Sequence, residues 1–288
     1  MKVAVIGAGA WGTALSIIAA KGGNEVILWS FDGEYKHFEG IESLPSGLKI
    51  TKNMEDVSLT DAWIMVTPAA FFRETLRKAK QFYNKQPIIV CTKGAELSTG
   101  CFMSEIIKEE LPECEDLAVL SGPQFAAEVA TGVPTGSTLA GNTKAIEAGK
   151  DILKLLYLTP TDDIIGTEMC GVGKNAVALI CGYNSVACQG ENDRAMIFTR
   201  AWNEVVDLGI ACGAKERTFL GLCGIGDLFL SATSATSRNF AGGMAIAKGE
   251  KPEGTVEGIF ALHGLIKRAE GKSIPTPVLK EMLDKLNI

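Results

Sequence analysis

The side chains able to move a proton or hold an anion fall at a few places in this chain, and lysine leads them. Gly171-Val172-Gly173-Lys174-Asn175 sets Lys174 where the apolar pattern starts a long helix, read as Lys174 to Cys188. A cation in the first turn of a helix is electrostatically disfavoured, and an ammonium destabilised in that way can donate its proton near neutral pH. Such a donor suits a carbonyl oxygen, which gains negative charge as hydride reaches its carbon. A lysine that only snorkels from the helix start is the plainer alternative. Lys93 follows the apolar run Ile88 to Thr92 and opens Lys93-Gly94, which sets a second ammonium at a sheet edge. Gly224-Ile225-Gly226-Asp227-Leu228 is a glycine-rich turn with one carboxylate, which can pair with Lys174, grip a hydroxyl or cap the helix that follows. Ser237-Arg238-Asn239 opens another helix, where a guanidinium beside free backbone amides makes a phosphate cradle; a solvated surface arginine is the alternative. The chain has two histidines, His37 and His263, with no Cys or His at ligand spacing, so no metal site is expected.

Hydride chemistry needs a donor, and the first thirty residues offer it a place. The strand Val3-Ala4-Val5-Ile6 runs into Gly7-Ala8-Gly9-Ala10-Trp11-Gly12 and then into the helical stretch Thr13 to Lys21. Gly7 can take the positive φ of a tight turn, Gly9 leaves room for a pyrophosphate against the backbone, and Gly12 lets helix and strand pack closely. Free amides at the helix start then face an anion. This is the arrangement that holds NAD or NADP, with a purely structural turn as the alternative. At the end of the second strand, Glu25 to Trp29, the run Trp29-Ser30-Phe31-Asp32 has no acid at the strand tip for a ribose hydroxyl and no Arg for a 2′-phosphate. Asp32 leans toward NAD, and the choice between the two cofactors stays open.

The elements that carry these groups alternate. Strands are read at 62–67, 87–92, 117–121, 135–140 and 163–167, and helices at 70–83, 98–111 and 143–157. Residues 31–60 are polar, with Asp32-Gly33 and Pro45-Ser46-Gly47 as turn signals, and hold only short elements. Beyond Gly171 the strand signal stops, and helices are read at 174–188, 194–212, 215–220, 239–248, 257–270 and 277–286. The fold class is therefore α/β: a doubly wound, mostly parallel dinucleotide-binding (Rossmann) sheet over 1–169, followed by an all-helical substrate-binding and catalytic domain over 170–288. Helical domains joined to such a sheet commonly close over the cofactor and supply substrate groups.

At 288 residues the chain has room for about two domains. A net charge of −6 without a Lys/Arg cluster argues against a nucleic-acid partner, so an anionic ligand must be held by local cations. Neither a charged leader nor an apolar run of about twenty residues is found, so no membrane insertion and a cytoplasmic location are expected. The eight cysteines form no C-x-x-C pair and read as small buried apolar groups in a reducing compartment.

Taken in order, Gly7 to Leu15, Thr92-Lys93-Gly94, Ser121-Gly122-Pro123-Gln124-Phe125-Ala126-Ala127-Glu128, Gly173-Lys174-Asn175, Gly224 to Leu228, Ser237-Arg238-Asn239 and Val256-Glu257-Gly258 resemble the NAD(P)-dependent sn-glycerol-3-phosphate dehydrogenases of bacterial type. The resemblance spans nearly the whole chain. It implies interconversion of glycerol 3-phosphate and dihydroxyacetone phosphate, a triose phosphate, in the cytoplasm, feeding glycerophospholipid synthesis, with a homodimer as the expected assembly. It makes Lys174 the catalytic acid/base and gives Lys93, Gly122, Gln124, Asn175, Asp227, Ser237, Arg238 and Asn239 to the substrate. Trp11, Ala126, Arg238 and Glu257 then border the dinucleotide, together with Gly7, Gly9, Ala10, Gly12, Phe31 and Lys93. The chain departs from the family at Gln124, usually Ser, at Ser231, often Thr, at Ala69-Ala70, often Ser-His, and in a shortened 31–60 segment. A β-hydroxyacid dehydrogenase and a catalytically silent NAD(P) sensor are the competing functions. The Arg238 cradle favours a phosphorylated substrate, and retention of Lys174, Asp227 and Arg238 favours turnover.

Overall fold

The computed structural model describes residues 1–286. The chain divides into two compact units, one of Met1–Lys93, Met103–Leu120 and Gln124–Ile164, the other of Gly94–Phe102, Ser121–Pro123 and Ile165 onward. The first is built on a sheet and the second on helices.

In the sheet unit the order is β1 (Lys2–Ile6), α1 (Ala10–Lys21), β2 (Glu25–Trp29), β3 (Leu48–Thr51), β4 (Ala62–Met65), α2 (Ala69–Ala79), β5 (Ile88–Val90), α3 (Met103–Glu110), β6 (Leu117–Ser121), α4 (Ala126–Thr131), β7 (Gly136–Gly141), α5 (Thr143–Ile152) and β8 (Tyr157–Thr161). The eight strands lie in the order β3-β2-β1-β4-β5-β6-β7-β8. The pairs from β3 to β6 are parallel, as is β7 with β8. Just past β7, the Asn142 amide donates to Leu117 O at the start of β6 (3.4 Å), so β7 runs against β6. Strand β1 has β2 on one side and β4 on the other, which makes its carboxyl end the switch point where ligands of such sheets bind. Val3, Val5, Leu28, Ile64 and Ile89 are buried against Leu15, Ile18 and Ala145 of the helices, and this apolar layer fixes the register of the central strands.

The strand expected at 163–167 is a correction: α6 begins at Ile164, and the last strand is β8, Tyr157–Thr161. Strand β8 is an edge, where Pro160 is tolerated and Tyr157 faces out, so its sequence lacks the apolar run that marks a central strand. Ile164 and Ile165, which supplied that apolar signal, open the helix instead.

The helical unit consists of α6 (Ile164–Ala187), α7 (Glu191–Ala211), α8 (Glu216–Phe219), α9 (Asp227–Thr233), α10 (Arg238–Ala247), α11 (Glu257–Lys272) and α12 (Pro277–Lys285). Helix α6 is long and apolar enough to cross a membrane, yet most of it is buried inside this unit, the position of a core helix. It meets its neighbours through glycine. A Cβ on Gly182 would lie 1.9 Å from Phe240 O, one on Gly243 2.1 Å from Leu179 O, and one on Gly258 2.5 Å from Asn175 O. Helices α10 and α11 therefore press their backbones onto α6, which brings their first turns beside the segment that carries Lys174 and Asn175.

Candidate functional site

In the sheet unit the turn after β1 is made of backbone. Gly7 has φ +119°, and a Cβ there would lie 2.9 Å from Thr67 N. A Cβ on Gly12 would sit 1.8 Å from Gly7 O, so only glycine lets α1 start this close to β1. Gly9 is different, because a Cβ there meets nothing within 4 Å. That open space lies at the N-cap of α1, where no side chain caps the helix and no acidic residue stands in the first turn. The amides of Ala10, Trp11 and Gly12 thus begin a helix whose positive end is left for an anion. Open space at Gly9, close approach at Gly7 and Gly12, and an uncapped helix start fit a dinucleotide pyrophosphate. Phe31 is 79% exposed just past β2, Lys93 follows β5 at the carboxyl edge of the sheet, and Ala126 is the first residue of α4. Gln124 donates through Nε2 to the buried Ser137 hydroxyl, while its Oε1 is buried without a partner.

In the helical unit the site is made of side chains. Lys174 Nζ donates to Asp227 Oδ1 at 2.8 Å and to Ser231 Oγ at 2.9 Å, and the Ser231 hydroxyl lies 3.5 Å from the same carboxylate oxygen. The side chain of Asp227 is 1% exposed and that of Lys174 12%. Asp227 and Ser231 stand one turn apart on α9, which carries both onto one face toward α6. The expectation that Lys174 opens its helix is corrected, since it lies about three turns inside α6. A helix-start field therefore does not act on it. What fixes the ammonium is the buried carboxylate, and the result is a cation held in one direction.

A second network ties the helix starts together. Asn239 Nδ2 donates to Asn175 Oδ1 at 2.8 Å, Asn175 Nδ2 donates to Glu257 Oε2 at 3.3 Å, and the Gly258 amide donates to Asn239 Oδ1 at 2.8 Å. Asn175 and Asn239, expected on the substrate, are thus also the links that lock α10 and α11 onto α6. Ser237 is the N-cap of α10, its hydroxyl accepting from the Phe240 amide, and Arg238 is the exposed first residue of that helix. Gly122 is buried in the segment Ser121–Pro123 of this unit. The helical unit therefore gathers Lys174, Asn175, Asp227, Ser237, Arg238, Asn239 and Glu257, and the sheet unit holds the glycine turn, Phe31, Lys93, Gln124 and Ala126. Sequence reasoning missed Ser231 as a partner of Lys174, although its place four residues after Asp227 was the available signal. No group of His, Cys, Asp and Glu able to hold a metal occurs among the described residues.

Comparison with known proteins finds two family models side by side on the chain. Residues 2–147 match the N-terminus of NAD-dependent glycerol-3-phosphate dehydrogenase, and residues 163–287 match its C-terminus. Glycerol-3-phosphate dehydrogenase (NAD(P)+) of Parvibaculum lavamentivorans is 36% identical over 96% of this chain and 89% of its own length. Its counterpart from Afipia carboxidovorans is 37% identical over 99% of this chain and 91% of its own. Among solved structures, glycerol-3-phosphate dehydrogenase from Coxiella burnetii superposes with a TM-score of 0.88 at 28% identity, covering 99% of this chain and 97% of that one.

Proposed function

The chain belongs to the NAD-dependent glycerol-3-phosphate dehydrogenase family, and from that premise we propose a role for each side chain described above. The protein is an NAD(P)-dependent oxidoreductase that interconverts sn-glycerol 3-phosphate and dihydroxyacetone phosphate, supplying glycerol 3-phosphate for glycerophospholipid synthesis. The observation that carries this reading is the Lys174–Asp227–Ser231 triangle, a buried and oriented proton donor. Its completeness supports turnover over a silent sensor.

Residues 1–169 hold the dinucleotide, through Gly7, Gly9, Ala10, Trp11 and Gly12 at the pyrophosphate and through Phe31, Lys93 and Ala126 along its border, and Arg238 and Glu257 of residues 170–288 are assigned to the same ligand. When bound, the nicotinamide supplies hydride to the C2 carbonyl carbon. Residues 170–288 supply the catalytic group. Lys174 donates a proton to the C2 oxygen as negative charge grows there, and in the reverse direction the neutral amine takes it back. Asp227 and Ser231 keep the ammonium aimed, so no reorientation is needed during the reaction. Arg238 offers a planar fork of donors at the start of α10, where the free amides add to the same field, and this suits the dianionic phosphate of the substrate. Lys93, Gly122, Gln124, Asn175, Ser237 and Asn239 are the other residues assigned to the substrate.

The protein works in the cytoplasm, which its eight free cysteines support, and it is a homodimer. Exposed Leu220, Ile225 and Phe229, close together in sequence from α8 to α9, are apolar area of the kind a second copy covers. Sedimentation at a dimer's mass is expected.

The test of substrate assignment compares dihydroxyacetone phosphate with dihydroxyacetone, following oxidation of the reduced nicotinamide. Arg238→Ala should cost about 2 kcal/mol in kcat/KM for the phosphorylated substrate, the scale of a hydrogen bond to a charged group, and much less for dihydroxyacetone. Arg238→Lys keeps the charge but loses the fork, so it should rescue poorly. An equal loss for both substrates would move the phosphate to another cation, with Lys93 first.

A further inference from the structure

We propose that Lys52 and Asp32 together set which dinucleotide this chain accepts, Lys52 as the partner of a 2′-phosphate and Asp32 as the partner of a free 2′-hydroxyl, so that both cofactors are taken. The inference rests on the dinucleotide reading of the glycine turn. In such folds the 2′ position of the adenosine ribose lies at the tip of the second strand, and an acid there selects NAD whereas a cation admits NADP.

The strand tip itself carries no acid, but the turn that follows β2 brings Asp32, three residues past Trp29, and the end of β3 brings Lys52 beside it. Strands β2 and β3 pair in parallel with Trp29 opposite Thr51, so Ser30 and Lys52 are the next positions along the two strands. The Ser30 amide donates to Thr51 O at 2.9 Å and Trp29 Nε1 donates to Lys52 O at 3.1 Å, which pins the backbone at Lys52 to the end of β2. From there the lysine stem crosses the turn. A Cβ on Gly33 would lie 3.1 Å from Lys52 Cδ and 3.4 Å from Cγ, and Gly33 has φ +90°, so glycine is what leaves the stem its path. Asp32 Oδ1 accepts from the Ser30 hydroxyl at 2.9 Å and from the Glu34 amide at 3.0 Å, and neither bond uses Oδ2. Those bonds, the Glu34 amide first, hold the carboxyl below its usual range, and the Lys52 charge adds to them, so Asp32 is ionised at neutral pH. Both side chains are exposed, within reach of a ligand.

A free 2′-hydroxyl can donate to Asp32. A 2′-phosphate is repelled by Asp32 and attracted by Lys52, and the two effects offset each other. An acid alone would exclude NADPH, and a lysine alone would favour it. The strand sequence Trp29 to Asp32 contains no cation, and the neighbouring strand supplies it.

The experiment titrates the enzyme without substrate, reading nicotinamide fluorescence with NADH and with NADPH. In the unaltered protein both should bind, with Kd values within about tenfold of each other. Lys52→Ala should raise the NADPH Kd about tenfold and leave the NADH Kd within about twofold, the asymmetry expected when one phosphate partner is lost. Asp32→Asn keeps Oδ1 as an acceptor for Ser30 and Glu34 while removing the charge, so NADH should weaken and NADPH tighten, each by about threefold. Added salt should weaken NADPH more than NADH, and that excess should vanish in Lys52→Ala. A preference beyond tenfold in the unaltered protein, or a Lys52→Ala variant whose two Kd values move together, overturns the proposal while leaving the dinucleotide site standing. Binding of neither cofactor overturns the dinucleotide reading itself.

Discussion

The two units build their sites from opposite materials. At the start of α1 the working groups are backbone amides, the side chains have been removed by Gly7, Gly9 and Gly12, and the space at Gly9 is open. Between α6 and α9 the working group is a side chain, the surroundings are closed, and Asp227 and Ser231 take up the ammonium of Lys174. A backbone site is indifferent to side-chain chemistry and sensitive to volume, since any Cβ either collides or fills the ligand's place. A buried ion pair is sensitive to charge, because removing one partner strands the other away from water. Substitutions should therefore separate binding from turnover, and stability from both.

The largest effect is expected at Lys174. Lys174→Ala should lower kcat by about 10² to 10⁴, the contribution of a positioned proton donor, with the NADH Kd nearly unchanged. It should also cost about 3 kcal/mol of stability in a urea titration, because Asp227, 1% exposed, loses its ammonium partner. Pairing Lys174→Met with Asp227→Leu removes both charges and should return most of that stability without returning turnover. A single variant that kept kcat within about threefold of the parent would remove Lys174 from the chemistry.

The glycine turn should respond in the opposite sense. Gly9→Ala places a methyl where nothing lies within 4 Å, so the melting temperature should hold while the dinucleotide Kd rises at least about tenfold. Gly12→Ala places one 1.8 Å from Gly7 O, so the backbone must shift, and about 2 kcal/mol of stability should be lost along with binding. If Gly9→Ala bound dinucleotide as tightly as the parent, the open space would not be where the pyrophosphate lies.

How far the sequence reaches follows the same division. The central strands β1, β2, β4, β5 and β6 are legible because burial on both faces demands continuous apolar runs such as Val3 to Ile6 and Leu117 to Leu120. The edge strands β3 and β8 are not, since an edge needs no such run and admits Lys49 and Pro160. The glycine turn is legible for a related reason: its spacing is the mechanism. Lys174 was found as a residue and misplaced as a position, because Gly171 and Gly173 look like a helix start although α6 runs through them. A Cβ on Gly173 would lie 2.3 Å from Val205 Cγ1, so that glycine serves close packing against α7 and not a break in the helix. Helix α9 was hidden by the glycine-rich helical turn Leu222–Gly226 before it, kinked at Gly224, and with it the partnership of Ser231. Lys52 reaches the tip of β2 only through strand pairing, which no local pattern reveals.

The smallest effect should come from Ser231, and it tells which partner aims the ammonium. Ser231 Oγ accepts from Lys174 at 2.9 Å, while its 3.5 Å approach to Asp227 is too long to add much. Ser231→Ala removes one of these two acceptors and leaves Asp227 in place at 2.8 Å, so the charge balance of the buried pair is unchanged. The lost bond should cost about 1 kcal/mol, read as a roughly fivefold fall in kcat with KM and the NADH Kd unmoved. Ser231→Thr keeps a hydroxyl at the same branch, which the family often carries, and should stay within about twofold of the parent. Stopped assays of the three proteins at saturating substrate decide the matter. A fall in Ser231→Ala as deep as that of Lys174→Ala would mean that the hydroxyl itself carries the proton. No fall at all would remove Ser231 from the guidance of the ammonium, because a bond that changes nothing when removed does not hold the lysine in its reactive direction.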